Sequence, residues 1–500
     1  MSAQKAENGD LHEKIREIFS GITGLDVDEV KDDSELDELG IDPILARELA
    51  RKLSVLSGRT IQSNQILLSG NFIDLVNHIW AVINTRNDTA NGNEKDTSSR
   101  KQAYIEPTAD RALTGTKHPK SSAFNDILPT SAVQEAFRLT KNLTDDFIVD
   151  GHMGNYCCEV MPRSTELCIE YLVEAFEQLG CNIKTAKPGE KLKPVPYLPK
   201  YEKFMQLFYE LLREHARLIE INGSEIVRTA QNCPSKSATS LLEDLIQDEP
   251  SHAPEFNLIQ VTGPRLANCL SGKEDGIGVI FGTAQGRQRV SDLYALSPIN
   301  RVWIQQLAYF LEQLVKRMPQ DGQPLRIMEL GAGTGGTTST VVPVLARLGV
   351  PIIYTMTDIS PSLVGAAKRK YGQYPFMQFQ VIDVESPPDP ELLRSQHVIL
   401  STACIHATRS LPVSLENIHS MLRADGFLVL LEQTKQIPFV DFVFGLLEGW
   451  WLFKDGRRHA LAPVAHWEKI MKQVGFGHVD WTEGKRQEAE LQRLIIGYAS

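Results

Sequence analysis

Apolar positions in the first eighty residues recur at helical spacing: Leu11, Ile15, Ile18 and Phe19 share one face, and Leu45, Leu49 and Leu53 another. The second of these helices should begin at Pro43 with Asp42 as its N-cap, because proline is tolerated where a helix has no use for its N–H. A third segment, from Phe72 to Ile83, completes a small all-α bundle over residues 8–84. The pattern then stops. Residues 85–122, including RNDTANGNEKDTSSR, have almost no large aliphatics and too little apolar area to offset ordering entropy, so they are expected to be a flexible linker. Helical periodicity returns over 123–322, strongest in STELCIEYLVEAFEQLG, which should stop at Gly180, and in KFMQLFYELLREHARLIE; a proline-rich connection, KPGEKLKPVPYLPK, joins the two. From 323 to 500 the period changes. Short runs (LRIMEL, IIYTMT, FQVIDVE, HVILST, FLVLLE and LQRLIIGYAS) alternate with helical segments, which predicts an α/β fold with a mostly parallel sheet and helices on both faces.

Length and charge narrow the function classes. Five hundred residues exceed one compact core, so two or three domains are expected. A formal charge of −11 argues against a broad nucleic-acid footprint. No apolar stretch reaches the roughly 18–20 residues that span a bilayer, and the polar N-terminus lacks the apolar core of a signal peptide. The seven cysteines are scattered without paired spacing, which favours reduced thiols in a cytoplasmic protein over disulfides or a metal site.

The strand Leu325–Leu330 runs into Glu329-Leu330-Gly331-Ala332-Gly333-Thr334-Gly335-Gly336 and then a helix. Gly331, Gly333 and Gly335 permit a tight turn and a close backbone approach to a ligand. Taken alone, such a loop fits a dinucleotide as readily. Glu329, however, would repel a pyrophosphate and suits the amino group of an amino-acid ligand, directly or through water. The next strand ends at Asp358, beside Ile359, where a carboxylate can accept ribose hydroxyls. The third is expected to end at Asp383, beside Val384, within reach of an adenine amino group. His406 and Glu432 follow the fourth and fifth strands, at the edge where ligands bind in open α/β sheets. A histidine oriented by a carboxylate is a sound general base; equally, the two could be a loop histidine and an unrelated ion pair.

These residues sit in ELGAGTGGTT, TDIS, STACIHAT, LLEQT and GLLEGWWLFKDGRR, which together resemble the C-methyltransferase domain of fungal non-reducing polyketide synthases. The resemblance runs from about Ala123 to Ser500. It implies a class I methyltransferase fold (Rossmann-like) with a helical N-terminal lid, S-adenosylmethionine as cofactor and S-adenosylhomocysteine as product. It also implies a His406–Glu432 dyad, with Tyr294 facing the site, acting on the α-carbon of a β-ketoacyl chain. That chain would be presented by an acyl carrier domain among the other domains of the synthase. A small-molecule O-methyltransferase and a catalytically silent scaffold are the alternatives. Trp450, Trp451 and Phe453 are a tunnel wall or plain core. The N-terminal bundle resembles an acyl carrier domain through DDSELDELGIDPILARELARKLS, but Pro43 stands where such domains carry the attachment serine, which implies a pseudo-carrier.

Overall fold

The computed structural model describes residues 2–84 and 128–500, apart from 24–26, 35, 37–38, 40, 42, 60, 63–64, 67–68, 224 and 319–322. The predicted linker 85–122 and the predicted N-cap Asp42 lie outside these residues. Helices Ser2–Thr23, Pro43–Ser57 and Phe72–Asn84 enclose a core of their own, in which Ile15, Phe19, Leu49, Leu53 and Phe72 are fully buried. Phe19 and Phe72 meet edge to face at 5.4 Å, a geometry that adds to their area burial.

The region after Leu128 is mainly helical, from Thr130–Asn142 to Pro298–Val315. The helix Met161–Gln178 ends as its sequence predicts, with Gly180 at φ 88°. The second periodic run behaves differently. Its helix covers only Glu202–Glu210, loosens into a π turn over Leu211–His215, and passes through Arg217 at φ 54° into a strand. A small antiparallel sheet results, β1 (Lys191–Leu192), β2 (Ile219–Asn222) and β3 (Glu225–Arg228), in the order β1-β3-β2. Buried Arg228 ties it down by donating to the carbonyls of Ile183, Leu218 and Thr229 at 2.8–3.1 Å. Ile183 lies 45 residues before Arg228, a separation at which local periodicity carries no sign of the contact.

The remaining strands form one seven-stranded sheet: β4 (Leu325–Leu330), β5 (Ile352–Asp358), β6 (Met377–Val381), β7 (Gln396–Thr402), β8 (Leu422–Gln433), β9 (Val479–Trp481) and β10 (Gln492–Tyr498). Their order is β6-β5-β4-β7-β8-β10-β9, parallel except for β10, which runs antiparallel to both neighbours. The chain winds outward from β4 in one direction, then from β7 in the other. The carboxyl ends of β4 and β7 therefore flank the switch point where such sheets bind ligands. β6 stops at Val381, two residues short of the expected end. Ile382 N–H bonds to the Asp358 carbonyl and the Asp383 carboxylate accepts Glu385 N–H at 2.9 Å, so Asp383 lies in a turn beyond the strand.

One face of the sheet, with Ile327, Val398 and Phe427, shares a core with Trp303 and Phe310 of the helix Pro298–Val315. Phe310 meets Phe427 at 5.8 Å. Met328, Ile399 and Leu430 on the other face pack against Leu415 and Trp467. Among the described residues no helix is long and apolar enough to cross a membrane, and no cluster of three or more His, Cys, Asp or Glu side chains is arranged to hold a metal ion.

Candidate active site

Gly331, Gly333 and Gly335 all take positive φ, at 64°, 57° and 80°, the region that side chains with a Cβ rarely enter. A Cβ on Gly331 would collide with Cys404 Sγ, and one on Gly335 would come to 3.0 Å from the Tyr371 hydroxyl. Above Gly333 there is open space for 4 Å. The loop is thus gripped from below and free above. Asp358 accepts Gly333 N–H at 2.8 Å and Ser360 N–H at 2.9 Å, which locks the ends of β4 and β5 together. Ile359 beside it is 65% exposed, an apolar surface at the same edge. Val384 is half-buried, and its carbonyl accepts from Asn417 at 2.9 Å.

Glu329 turns inward. Its Oε2 accepts the hydroxyls of Thr338 at 2.6 Å and Tyr354 at 2.8 Å, so it braces the loop from within the fold. Burial pushes its carboxyl up to about 7 against the pull of those two bonds.

β7 ends at Thr402, and Ala403 takes φ 48°, a strained value for a residue with a Cβ. That kink carries Cys404 beneath the glycine loop and turns His406 toward the end of β8. There His406 Nδ1 lies 2.6 Å from Glu432 Oε2, and Glu432 Oε1 accepts Ile405 N–H at 3.1 Å. Glu432 is wholly buried. An ionised carboxylate can only accept, so the imidazole proton sits on Nδ1 and the lone pair on Nε2 is left free. Tyr294, in the helix Ala284–Leu296, lies over the first turn of the helix Gly336–Leu348: a Cβ on Gly336 would come to 3.4 Å from it. Burial, with Cys404 and Glu432 adding, pushes its phenol up to about 12. The structure thus brings His406 and Glu432 into contact and sets their turn against the glycine loop. Asp358 ends β5 and Asp383 lies in the turn just after β6, the neighbouring strand.

Known proteins resemble this arrangement throughout. Three families match: "Methyltransferase, Helix-turn-helix domain" over residues 138–226, "Methyltransferase domain" over 328–428 and "Phosphopantetheine attachment site" over 13–79. The structure of the citrinin polyketide synthase CMeT domain superposes with a TM-score of 0.74 at 61% identity, covering 75% of this chain and 99% of that one. The chain belongs to the polyketide-synthase C-methyltransferase domains. Citrinin polyketide synthase of Monascus ruber is 53% identical over this whole chain, and clavatol synthase claF of Penicillium crustosum is 49% identical over 99% of it. The chain spans about a fifth of the length of these curated relatives. CurJ carbon methyltransferase, at 24% identity and a TM-score of 0.65, shares the fold.

In this C-methyltransferase domain the His406–Glu432 pair is enclosed by the aromatic run and by Arg457, which sequence reasoning did not single out. Trp450 meets the His406 ring at 5.3 Å and 74°. Arg457 donates to the His406 carbonyl at 2.8 Å and to the Thr408 carbonyl at 2.7 Å, while Asp455 holds its guanidinium. Trp450, Trp451 and Phe453 are each more than nine-tenths buried. The aromatic run was visible in the sequence, but nothing there set it against His406. A cleft of about 1020 Å³ opens between the lid and the segment after β8, with Ile169, Phe208, Leu211 and Phe442 among its walls. Asp441 lines it; His406 and Glu432 do not.

Proposed function

We propose that this domain methylates the α-carbon of a carrier-bound β-ketoacyl polyketide intermediate, with His406 as general base and Glu432 as its orienting partner. The observation that carries the reading is the 2.6 Å contact between His406 and a fully buried Glu432, on a turn that lies against the glycine loop. S-adenosylmethionine would be held by Gly331, Gly333 and Gly335 together with Asp358, Ile359, Asp383 and Val384. The open space over Gly333 and the exposed Ile359 fit such a ligand, and Glu329 braces the loop from beneath through Thr338 and Tyr354. When bound, that cofactor supplies an electrophilic sulfonium methyl group.

The carbon between two carbonyls is acidic enough for an imidazole to deprotonate. His406 Nε2 takes that proton, the C–H electron pair passes into the enolate, and Glu432 stabilises the imidazolium that results. Tyr294, with its phenol held protonated, serves as a hydrogen-bond donor beside the loop rather than as the base. The carrier presenting the chain would come from elsewhere in the synthase, because Pro43 offers no hydroxyl for a phosphopantetheine arm.

The test is single-turnover methyl transfer to β-ketoacyl thioesters, with phenols in parallel and cofactor binding as control. His406→Ala should lose about 10²- to 10⁴-fold in rate while cofactor still binds. Glu432→Gln should also be impaired, and the double variant little worse than His406→Ala alone, since the pair acts as a unit. Near-wild-type turnover by His406→Ala, or methyl transfer to phenols alone, would overturn the reading.

A further inference from the structure

Glu432 secures only one nitrogen of His406. A single hydrogen bond to Nδ1 leaves the imidazole free to tilt about the line between Nδ1 and the carboxylate, and a tilt swings Nε2 away from its target. A second restraint on the ring is Trp450, edge to face at 5.3 Å. Trp450 is in turn held by Asp441, on the helix Pro438–Phe444, whose Oδ1 accepts the indole N–H at 3.1 Å. The same oxygen lies 2.9 Å from His459 Nε2. His459 Nδ1 accepts Leu461 N–H at 3.0 Å, and a backbone N–H can only donate; the His459 proton therefore sits on Nε2 and points at Asp441. Asp441, Trp450 and His459 are all more than nine-tenths buried, and Phe444 stacks on the indole at 5.9 Å.

From this chain of contacts we infer that Asp441 is a positioning residue for methyl transfer. It fixes Trp450 against the His406 ring, so that the imidazole has a second restraint besides Glu432. The inference rests on His406 being the base. Asp441 gathers two N–H donors on one oxygen, a convergence that no backbone satisfaction requires. A buried polar group so used specifies one geometry in the packing around it. Asp441 also lines the cleft beside the lid, which places the Asp441–Trp450 pair between that cleft and the dyad.

The experiment is single-turnover transfer to a β-ketoacyl thioester at saturating cofactor, with cofactor affinity measured on every variant. Asp441→Leu, which cannot accept, should turn over at least tenfold more slowly while cofactor affinity stays within twofold. Asp441→Asn keeps an accepting oxygen without the charge and should recover at least fivefold of that loss, which separates hydrogen bonding from electrostatics. Trp450→Leu should match Asp441→Leu, and the double variant should be no slower, because Asp441 acts through the indole. If Asp441→Leu loses cofactor binding through misfolding, Trp450→Phe decides: it keeps an aromatic ring but loses the N–H that Asp441 holds, so it should be slowed to the level of Trp450→Leu, and wild-type turnover by Trp450→Phe overturns the inference. His406→Ala is run alongside. If it is silent while Asp441→Leu keeps wild-type turnover, the positioning role falls and the base stands; if His406→Ala itself turns over, both fall.

Discussion

Glu329 is the residue whose chemistry depends most on where the fold puts it. In an unfolded chain its carboxyl ionises near 4.3, whereas burial in the folded protein raises it to about 7. Between those values the folded state holds a proton that the unfolded state has released. Its contribution to stability is fully present below about pH 4 and is lost as pH rises through 7. The cofactor-free protein should therefore lose on the order of 1–3 kcal/mol across pH 5 to 8 on this account. Glu329→Gln keeps an acceptor for Thr338 and Tyr354 and has no proton to lose. Melting temperatures of both proteins across that range should converge at pH 5, with the variant higher at pH 8. Parallel curves would show that Glu329 does not titrate there.

At the scale of elements, the strand-to-helix turn after β4 and the kinked turn after β7 are built against each other. Gly331 is where they meet, at positive φ and with Cys404 directly where a Cβ would go. Gly331→Ala must shift one turn or the other, which should cost about 1–3 kcal/mol beyond the left-handed backbone penalty and drag His406 out of place. Gly333→Ala meets no atom within 4 Å and should cost only that penalty, roughly 1–2 kcal/mol. Its added methyl group instead occupies the ligand's side of the loop. Thermal melts should rank Gly331→Ala as the less stable of the two, and calorimetry should show both losing cofactor affinity. Equal loss of stability would mean that the two turns are not coupled through this contact.

For the whole molecule, the sharing of one core between the lid and one face of the sheet makes residues 128–500 a single packed unit, whereas the N-terminal bundle encloses its own core. The bundle matches a phosphopantetheine attachment family over 13–79, yet its second helix opens on Pro43. Incubation with a phosphopantetheinyl transferase and coenzyme A should leave the intact mass unchanged. A gain equal to one phosphopantetheine would place an attachment hydroxyl elsewhere in the bundle and end its reading as a pseudo-carrier.

What the sequence determined by itself is what contiguous residues encode. The glycine turn, the run of parallel strands, Asp358 at a strand end and the proline at the start of a helix each follow from backbone chemistry or a period of a few residues. His406 and Glu432 were legible as strand-end residues, and became a pair only through resemblance to a family. The tertiary structure alone decided the rest. It alone set Trp450 against His406 and put Asp441 behind Trp450, aimed His459 by a backbone N–H, turned Glu329 inward and closed the small sheet around Arg228. Each of these places a side chain against a partner that no periodic pattern in the sequence signals. Such contacts exist only once burial has brought the elements together and left each polar group to find a partner.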